Sequence, residues 1–381
     1  MKNKKIYITS LHMRHGGVEM VISSLANALV RRGFEVEILC TYDFGTVAYP
    51  LDSAVKITYL TNVLPNKETF KEAYSSGKVF AALLEGFRAL KIIRLKKKTM
   101  AKALSQITDG AVISTRNEHS VLLSKYGRPG VLKIAQLHHD HRYDKALLRD
   151  FARKYSNIDY FVLLTPKLAE EVREIMKDNT HTKVLSIPNF VAAEDIAVGE
   201  PEKQVIAAGR LHPDKDFHSL LRIWRSVHEK HPDYMLKICG EGNLKDELTE
   251  YARQLDIDSS VTFAGAVPHG KLLSEMSRSV CYVMTSVTEG FPMVLLEALY
   301  TGTPSVAFDV RVGLDSLIED GKTGYIVKDR DEDAFSDKIC QLIENPELRD
   351  SMSKSSAERA SDFSEENIMK KWLELIDGKT E

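Results

Sequence analysis

Short runs of β-branched and aromatic residues alternate with longer runs of helical period along nearly the whole chain. The opening shows the pattern, with KIYIT followed by VEMVISSLANALVRRG and then EVEILC. Alternation of this kind predicts βαβ units built on a parallel sheet, with each strand leading through a turn into an amphipathic helix. Further strands are predicted at VKITYL, AVIST, VLKIAQL and YFVLL in the first half, and at QVIAAG, MLKICG, VTFAG, CYVMT, PSVAFD and GYIV in the second.

One segment interrupts the alternation and predicts a domain boundary. IPNFVAAEDIAVGEPEKQ contains prolines and acids without a sustained period, which is typical of a linker. We therefore place a hinge at residues 188–203, between an N-terminal domain of residues 1–190 and a C-terminal domain of residues 191–362. Two doubly wound domains would each bind ligands at the carboxyl ends of their strands, so residues just after strands are the candidates for function.

Residues 363–381 are predicted to form a closing helix. Ser364 is a suitable N-cap, acidic residues fill the first turn, and Ile368, Trp372, Leu375 and Ile376 follow at helical spacing. The apolar face of this helix needs a surface to cover.

Composition narrows the class of protein. A chain of 381 residues exceeds what one hydrophobic core organises, which agrees with two domains. Its net charge of -2 indicates no nucleic-acid partner, and its four cysteines are too far apart for a disulfide framework or a thiolate metal site. The start of the chain lacks a secretory apolar stretch, and no apolar run is long enough to span a bilayer. A cytoplasmic protein is expected.

The stretch TSVTEGFPMVLLEALYTGTP carries two carboxylates in a core-forming segment. Glu289 follows the predicted strand directly, and Pro292 suits the first turn of a helix that Gly302 would end. Backbone amides from Phe291 onward would point a helix N-terminus at a phosphate. Glu297 lies about a turn and a half further along the helix. Carboxylates accept hydrogen bonds from vicinal hydroxyls, so these two acids could hold sugars; spacing alone also allows a capping acid and a solvated glutamate.

Two other loops carry candidate phosphate ligands. In VIAAGRLHPDKDFHSLL, Arg210 and Lys215 lie between a strand that ends at Gly209 and the next helix, and two fixed cations there suit a diphosphate. Gly16 and Gly17 lie between the first strand and first helix, where glycine allows a ligand to approach the backbone. The pair lacks the full dinucleotide pattern, and GEG at 240–242 is interpreted as a plain turn.

Several histidines and aspartates are potential metal ligands, but their spacing along the chain does not favour a metal-binding site. His138, His139 and His141 follow a strand, and consecutive residues on an irregular segment rarely converge on one ion, so a histidine that donates to a sugar or phosphate is the preferred interpretation. Three Asp-x-Asp triplets, at 214–216, 256–258 and 329–331, do not directly end buried strands. We interpret them as surface residues and predict no metal site.

A basic segment at residues 88–102 contains no acid. It reads RALKIIRLKKKTMAK, with cationic and apolar residues interleaved. Two interpretations stay open: a basic amphipathic helix that lies on an anionic membrane face, and a solvated helix face of the first domain.

Several of these motifs, taken in order, resemble a known family. GGVE, SIPNFV, GRLHPDK, LKICGEG, VTFAG, TEGFPMVLLEAL and DGKTGYIV span nearly the whole chain. The chain resembles a retaining glycosyltransferase of family 4, also described as glycosyl transferases group 1. The resemblance implies the GT-B fold, in which two Rossmann-like domains face each other and a C-terminal helix crosses back to the N-terminal domain.

The resemblance also implies roles for individual residues. The N-terminal domain would bind the acceptor and the C-terminal domain the nucleotide-sugar donor. Arg210 and Lys215 would bind the donor diphosphate, Glu289 the hydroxyls of the transferred sugar, and Glu297 the ribose. The remaining residues expected to line the donor are Gly17, Gly209, Gly290, Phe291, Pro292 and the cleft histidine, best matched by His138. The resemblance implies a reaction without a metal. The nucleotide sugar is a substrate, so no resident cofactor is expected.

The resemblance leaves the acceptor and some rival functions open. KDF and DVRVGLDSLIEDG depart from the common family pattern, and the second is closer to members that build bacterial surface polysaccharides. A glycan or a lipid-linked acceptor is therefore expected. The alternatives are a nucleotide-sugar epimerase of the same fold and a non-catalytic nucleotide-sugar-binding subunit. A nicotinamide dehydrogenase is weaker, because the first glycine loop lacks its third glycine.

Overall fold

The computed structural model of the chain describes residues 4–191, 199, 201–328 and 330–379. The chain divides into two compact units. The first unit contains the residues up to Ile187 and those from Met369 onward, and the second runs from Pro188 to Ile368. The first unit is therefore discontinuous in sequence.

The first unit is built on a seven-stranded sheet in the order β3-β2-β1-β4-β5-β6-β7, and all its neighbouring strands are parallel. Its strands are β1 (Lys5–Ser10), β2 (Glu35–Tyr42), β3 (Lys56–Thr61), β4 (Ala111–Ser114), β5 (Leu132–Gln136), β6 (Tyr160–Leu163) and β7 (Lys183–Ser186). Its helices before the linker are α1 (Gly17–Arg31), α2 (Lys67–Ser75), α3 (Val79–Gln106), α4 (Asn117–Tyr126), α5 (Lys145–Lys154) and α6 (Pro166–Ile175).

The second unit is built on a six-stranded parallel sheet in the order β10-β9-β8-β11-β12-β13. Its strands are β8 (Gln204–Ala208), β9 (Met235–Cys239), β10 (Val261–Gly265), β11 (Cys281–Met284), β12 (Ser305–Phe308) and β13 (Gly324–Val327). The helices of this part of the chain are α7 (Phe217–Lys230), α8 (Lys245–Gln254), α9 (His269–Ser277), α10 (Met293–Tyr300), α11 (Glu332–Glu344) and α12 (Pro346–Ala360); α13 (Glu365–Ile376) follows.

The central strands of both sheets are apolar and buried on both faces. Every residue of β4, β6, β8, β11 and β12 is buried, as expected for strands covered by helices on each side. Trp224 of α7 is the largest fully buried side chain, and its indole N–H donates to the Ser260 hydroxyl at 3.0 Å. Two doubly wound parallel sheets are therefore confirmed.

The predicted strands are all present, but the strict strand-to-helix alternation is wrong. β7 was not predicted. β2 runs to β3, and β12 to β13, through residues 43–55 and 309–323, two fully described segments without an α-helix. In the first of these connections the loop forms its own long-range hydrogen bonds, such as Ala48 N–H to the Met13 carbonyl at 2.8 Å. A crossover there needs no helix.

The closing helix agrees with expectation. The Ser364 hydroxyl accepts from Asn367 N at 3.4 Å at the start of α13. The apolar face of α13 is buried, with Trp372 only 2% exposed. All four cysteines are free and buried. Within the described residues, no helix combines the length and apolarity needed to cross a bilayer.

Candidate functional site

The predicted donor residues of the second unit lie at the point where its strand order reverses. β8 continues along the chain toward β9 on one side, whereas the neighbouring strand β11 continues toward β12 on the other. The loops that follow β8 and β11 therefore diverge and leave a crevice at the carboxyl edge of the sheet. Ligands of open α/β sheets bind at such a point.

The loop after β8 is folded by short-range contacts. Pro213–Lys215 form one 3-10 turn, and Asp216 follows in the left-handed conformation with φ 47°. The Asp216 carboxylate accepts from the Ser219 hydroxyl at 2.7 Å and so caps α7. Arg210 projects from this loop with its side chain 66% exposed, and its guanidinium lies 3.6 Å from the Asp214 carboxylate.

Hydrogen bonds join this loop to the loop after β11. The Thr285 hydroxyl lies 3.0 Å from the carbonyl oxygens of both Lys215 and Asp216, and donates to them. Val287 N–H donates to the Asp214 carbonyl at 2.9 Å. The structure thereby brings Lys215 and Glu289 together, with Nζ 2.5 Å from Oε1 and side chains only 23% and 13% exposed.

Arg330 holds the loop after β11 from the other side. Its guanidinium donates to the Thr285 carbonyl at 2.5 Å and to the Ser286 carbonyl at 2.7 Å, and it lies over the Phe308 ring at 4.8 Å. Burial lowers the pKa of Arg330, and the nearby Asp216 opposes that shift. No motif marks Arg330 in the sequence, so its role could not be predicted.

Helix α10 begins one residue later than predicted. Pro292 is the N-cap, not part of the first turn, because its ψ of 104° is extended and Met293 is the first helical residue. The helix ends as predicted, with Gly302 in the left-handed conformation at φ 68°. An α-helix leaves its first amides without partners inside the helix, so this end can still accept a phosphate.

Glu297 is buried, and the alternative of a solvated glutamate is wrong. Its side chain is 4% exposed, and its Oε1 lies 3.1 Å from Nε2 of His269 at the start of α9. A buried carboxylate with a specific partner is far more constrained than a surface acid. Sequence spacing gave no signal for His269, because the contact joins residues from two separate helices.

The segment GEG at 240–242 is more than a plain turn. A Cβ atom on Gly240 would lie 1.9 Å from the Gly209 carbonyl oxygen, and one on Gly242 would lie 2.1 Å from that of Leu211. Gly209 N–H in turn donates to the Cys239 carbonyl at 2.9 Å. The loops after β8 and β9 thus pack backbone to backbone, which only glycine permits.

In the first unit, His138 has the features expected of a ligand-binding histidine. Both of its ring nitrogens are buried and have no hydrogen-bond partner among the described residues. Burial, followed by the charges of His139 and Arg116, lowers the pKa of His138 to about 3. By contrast, His141 is occupied inside its own loop: Nε2 lies 2.9 Å from Glu171, and Nδ1 accepts from Tyr143 N–H.

The two glycines before and at the start of α1 differ in the space beside them. A Cβ on Gly17 would meet no atom within 4 Å, so space is open beside it at the start of α1. A Cβ on Gly16 would lie 2.1 Å from a carboxylate oxygen of Glu19. That carboxylate is buried and also lies 3.4 Å from Nδ1 of His12.

The acidic triplets serve structural purposes or lie at the surface. Asp214 and Asp216 are half-buried by their contacts with His212 and α7, which differs from the predicted surface position, whereas Asp256 and Asp258 are exposed. Asp329 lies outside the described residues. Over the described part of the chain, no group of three or more metal-binding side chains comes together.

Comparison with known proteins connects this site to a family. The family model described as glycosyl transferases group 1 matches residues 192–359. This matched segment contains Arg210, Lys215, Glu289 and Glu297.

Full-length relatives extend this likeness beyond residues 192–359. The chain is 27% identical over 378 residues to an amylovoran biosynthesis glycosyltransferase of Erwinia amylovora, covering 95% of this chain and 96% of that one. It is 26% identical over 380 residues to an alpha-1,4-N-acetyl-D-galactosaminyltransferase of Campylobacter jejuni, covering 98% of both, whose named acceptor is a diNAcBac-PP-undecaprenol glycan. Together, the family model and the relatives support a glycosyltransferase of the GT-B type.

A solved structure confirms the fold. A variant of S. aureus TarM, in complex with fondaparinux, alpha-GlcNAc-glycerol and UDP, matches with a TM-score of 0.77 over 99% of this chain and all of that one, at 17% identity. With two Rossmann-like parallel-sheet units and α13 assigned in part to the first unit, the chain has the GT-B fold.

The low pKa of His138 predicts a pH-dependent stability. In the unfolded chain this imidazole titrates near its ordinary pKa of about 6.5. In the folded chain it titrates near 3. Between these values the unfolded state binds the extra proton, so the free energy of unfolding falls as pH falls from about 7 to 4.

Urea unfolding at several pH values tests this expectation. His138→Gln should lose less stability on acidification than the unsubstituted chain. The control is His181→Gln, which makes the same change at an imidazole of the first unit that is 53% exposed. Equal slopes for His138→Gln and the unsubstituted chain would show that His138 is not held neutral by the fold.

Proposed function

We propose that the chain is a retaining, metal-independent glycosyltransferase of family 4 that transfers a hexosyl unit from a nucleoside diphosphate sugar, with UDP as the nucleotide. One observation carries the proposal: Lys215 and Glu289, from two loops at the switch point of the second sheet, lie in contact, and the same loop leads into α10 with its buried Glu297. The crevice therefore combines cations, helix amides and two carboxylates.

Each part of the donor has a group of matching chemistry. Arg210 and Lys215 would bind the diphosphate, with Gly209 and the amides at Gly290 and Phe291 beside it. Glu289 would accept from the hydroxyls of the transferred sugar and Glu297 from those of the ribose. Pro292 would line the sugar-phosphate pocket, and Gly17 and the neutral imidazole of His138 stay donor-binding predictions for the first unit.

The Lys215 ammonium is already held in place before a donor binds. Its charge is balanced by Glu289, so its rotamers are restricted and the ammonium is in place for a phosphate. A diphosphate would share the cation with the carboxylate. This pre-positioning reduces the entropy that would otherwise be lost when donor and lysine meet.

The proposed transfer conserves configuration and balances its proton. The acceptor hydroxyl forms a bond to the anomeric carbon on the face from which the diphosphate departs, and the carbon–oxygen bond to the diphosphate breaks. A leaving diphosphate oxygen takes the acceptor proton. Stabilisation of the departing negative charge by Arg210, Lys215 and helix amides is then the main contribution of the protein. No resident cofactor takes part.

The acceptor is proposed from the relatives. The Erwinia amylovora relative is named for amylovoran biosynthesis, and the Campylobacter jejuni relative for a polyprenol-linked glycan. Both names support a glycan or lipid-linked acceptor in bacterial surface polysaccharide biosynthesis. The N-terminal domain would bind this acceptor, and a cytoplasmic enzyme at the inner face of the membrane would meet both substrates.

Donor turnover tests the central proposal. Purified protein is incubated with UDP-, GDP- and ADP-sugars, with and without EDTA, and release of the nucleoside diphosphate is measured together with saturable binding. We expect UDP-sugar to bind and to release UDP equally well in EDTA. Absence of binding by every donor would contradict the proposal and favour a protein without transferase activity.

Two substitutions test the residues. Lys215→Ala removes the diphosphate cation and Glu289→Gln removes a charged acceptor for the sugar hydroxyls, so each should lower kcat/KM at least about a hundred-fold, as loss of a transition-state contact does. The control Lys230→Ala breaks an exposed pair with Asp337 and should leave turnover unchanged. Near-normal turnover in either site variant, with thermal unfolding unaltered, would show the assignment to be wrong.

The basic segment 88–102 lies on the second half of α3, and its exposed cations support a membrane contact. Lys96 is bound to Glu118 at 2.7 Å. Lys91, Arg94 and Lys98 are exposed and follow one another at spacings of three and four residues, on one helix face. On the preceding turns, Phe80 is 90% and Phe87 71% exposed. Apolar side chains beside clustered cations match the interface of an anionic bilayer.

Vesicle binding tests this surface. Reversal of Lys91, Arg94 and Lys98 to glutamate should abolish sedimentation with vesicles rich in anionic lipid and leave the weak sedimentation with neutral vesicles unchanged. The control reverses the exposed Lys167, Lys177 and Lys183, which gives the same change of net charge elsewhere on the first unit. Equal loss in both variants would indicate a nonspecific charge effect, and no loss in the first would favour a solvated helix face.

A further inference from the structure

One imidazole of the second unit belongs to none of the predicted motifs and contacts a residue of the donor site. His269 begins α9, which follows the edge strand β10, and its Nε2 atom lies 3.1 Å from Oε1 of Glu297. The carboxylate is almost completely enclosed, whereas the imidazole is 25% exposed. A partly open side chain therefore contacts a carboxylate that the core otherwise surrounds.

The contact restricts how the Glu297 carboxylate can be used. The terminal torsion of a glutamate is broad, so an unrestrained carboxylate rotates among many orientations. A ring N–H that donates to Oε1 fixes the plane of the group and directs Oε2 away from the histidine. One oxygen is then occupied by the protein, and the other keeps a fixed direction.

The strand that precedes His269 ends against the loops of the candidate donor site. Gly265 ends β10 in the left-handed conformation at φ 69°, and its carbonyl accepts from Gly240 N–H at 2.8 Å. Gly240 packs against Gly209 at the start of the loop that carries Lys215. A short series of backbone contacts thus links the base of α9 to the proposed diphosphate loop. The end of β10, four residues before His269, is therefore part of the framework that carries the lysine.

We infer that His269 is a positioning residue for the nucleoside ribose: it orients the Glu297 carboxylate so that the free oxygen accepts from the ribose diol. This inference rests on the proposed function, which assigns Glu297 to the ribose. A ribonucleotide would then be selected over its 2′-deoxy analogue, because the fixed oxygen is matched to a pair of vicinal hydroxyls. Donor affinity, not the chemical step, is the quantity that His269 sets.

Binding of UDP and 2′-deoxy-UDP by calorimetry tests the inference. His269→Ala should weaken UDP about ten-fold, the size of effect expected when a hydrogen bond to a charged group is lost, and should reduce the preference for UDP over 2′-deoxy-UDP. In turnover it should raise KM for the donor with little change in kcat. His269→Gln, whose amide can donate to the same oxygen, should restore most of the affinity and the preference.

A double substitution separates positioning from simple structural support. If His269 acts through the carboxylate, His269→Ala combined with Glu297→Gln should weaken UDP no more than Glu297→Gln alone. The matched control is His231→Ala. His231 pairs with Glu344 at the same Nε2 to Oε1 distance of 3.1 Å, beyond the far end of α7, and its loss should leave UDP binding unchanged.

The outcomes distinguish this inference from the function on which it rests. If Glu297→Gln weakens UDP but His269→Ala binds UDP and 2′-deoxy-UDP as the unsubstituted chain does, the positioning role is wrong and the proposed donor site stands. Fully additive losses also contradict it. If Glu297→Gln itself binds UDP normally, the assignment of the ribose to Glu297 fails, and the inference fails with it. Thermal unfolding of each variant confirms that a folded protein is compared.

Discussion

The hydroxyl of Thr285 makes the contact on which the candidate donor site depends. It follows β11 directly and donates to two consecutive carbonyls of the neighbouring loop, those of Lys215 and Asp216. Two loops that diverge at a switch point have no helix or strand between them to fix their separation. The buried Thr285 hydroxyl and the Val287 N–H, which donates to the Asp214 carbonyl, supply that constraint, and the ion pair between Lys215 and Glu289 lies between the loops that they join.

The charged side chains of the candidate site are partly or fully removed from water, and each of them has a partner. A charged group removed from water is tolerated when it is paired and hydrogen-bonded. Lys215 meets this condition through Glu289, Glu297 through His269, and Arg330 through two backbone carbonyls. Each of these charged side chains therefore also restrains a loop or helix of the crevice. A substitution that removes one of the charges would change the shape of the crevice as well.

Much of this arrangement could be predicted from the sequence, and the reasons for the exceptions are physical. Apolar runs identify the buried strands because burial on both faces leaves little choice of residue. Strand β7 was missed because its residues are only partly buried, with Lys183 exposed. Arg210, Lys215, Glu289 and Glu297 could be predicted as site residues from their places after strands and from the family pattern. Thr285, His269 and Arg330 were not, because their roles arise from contacts between distant segments that no local period encodes.

The discontinuity of the first unit has a consequence for biosynthesis. Its sheet is complete at Ile187, but the residues from Met369 onward that belong to it are made only after the entire second unit. At cellular rates of translation the interval is on the order of ten seconds. During that time the apolar surface of the first unit that α13 will cover remains uncovered by this helix. The nascent first unit therefore presents apolar surface to chaperones until the residues of α13 have been made.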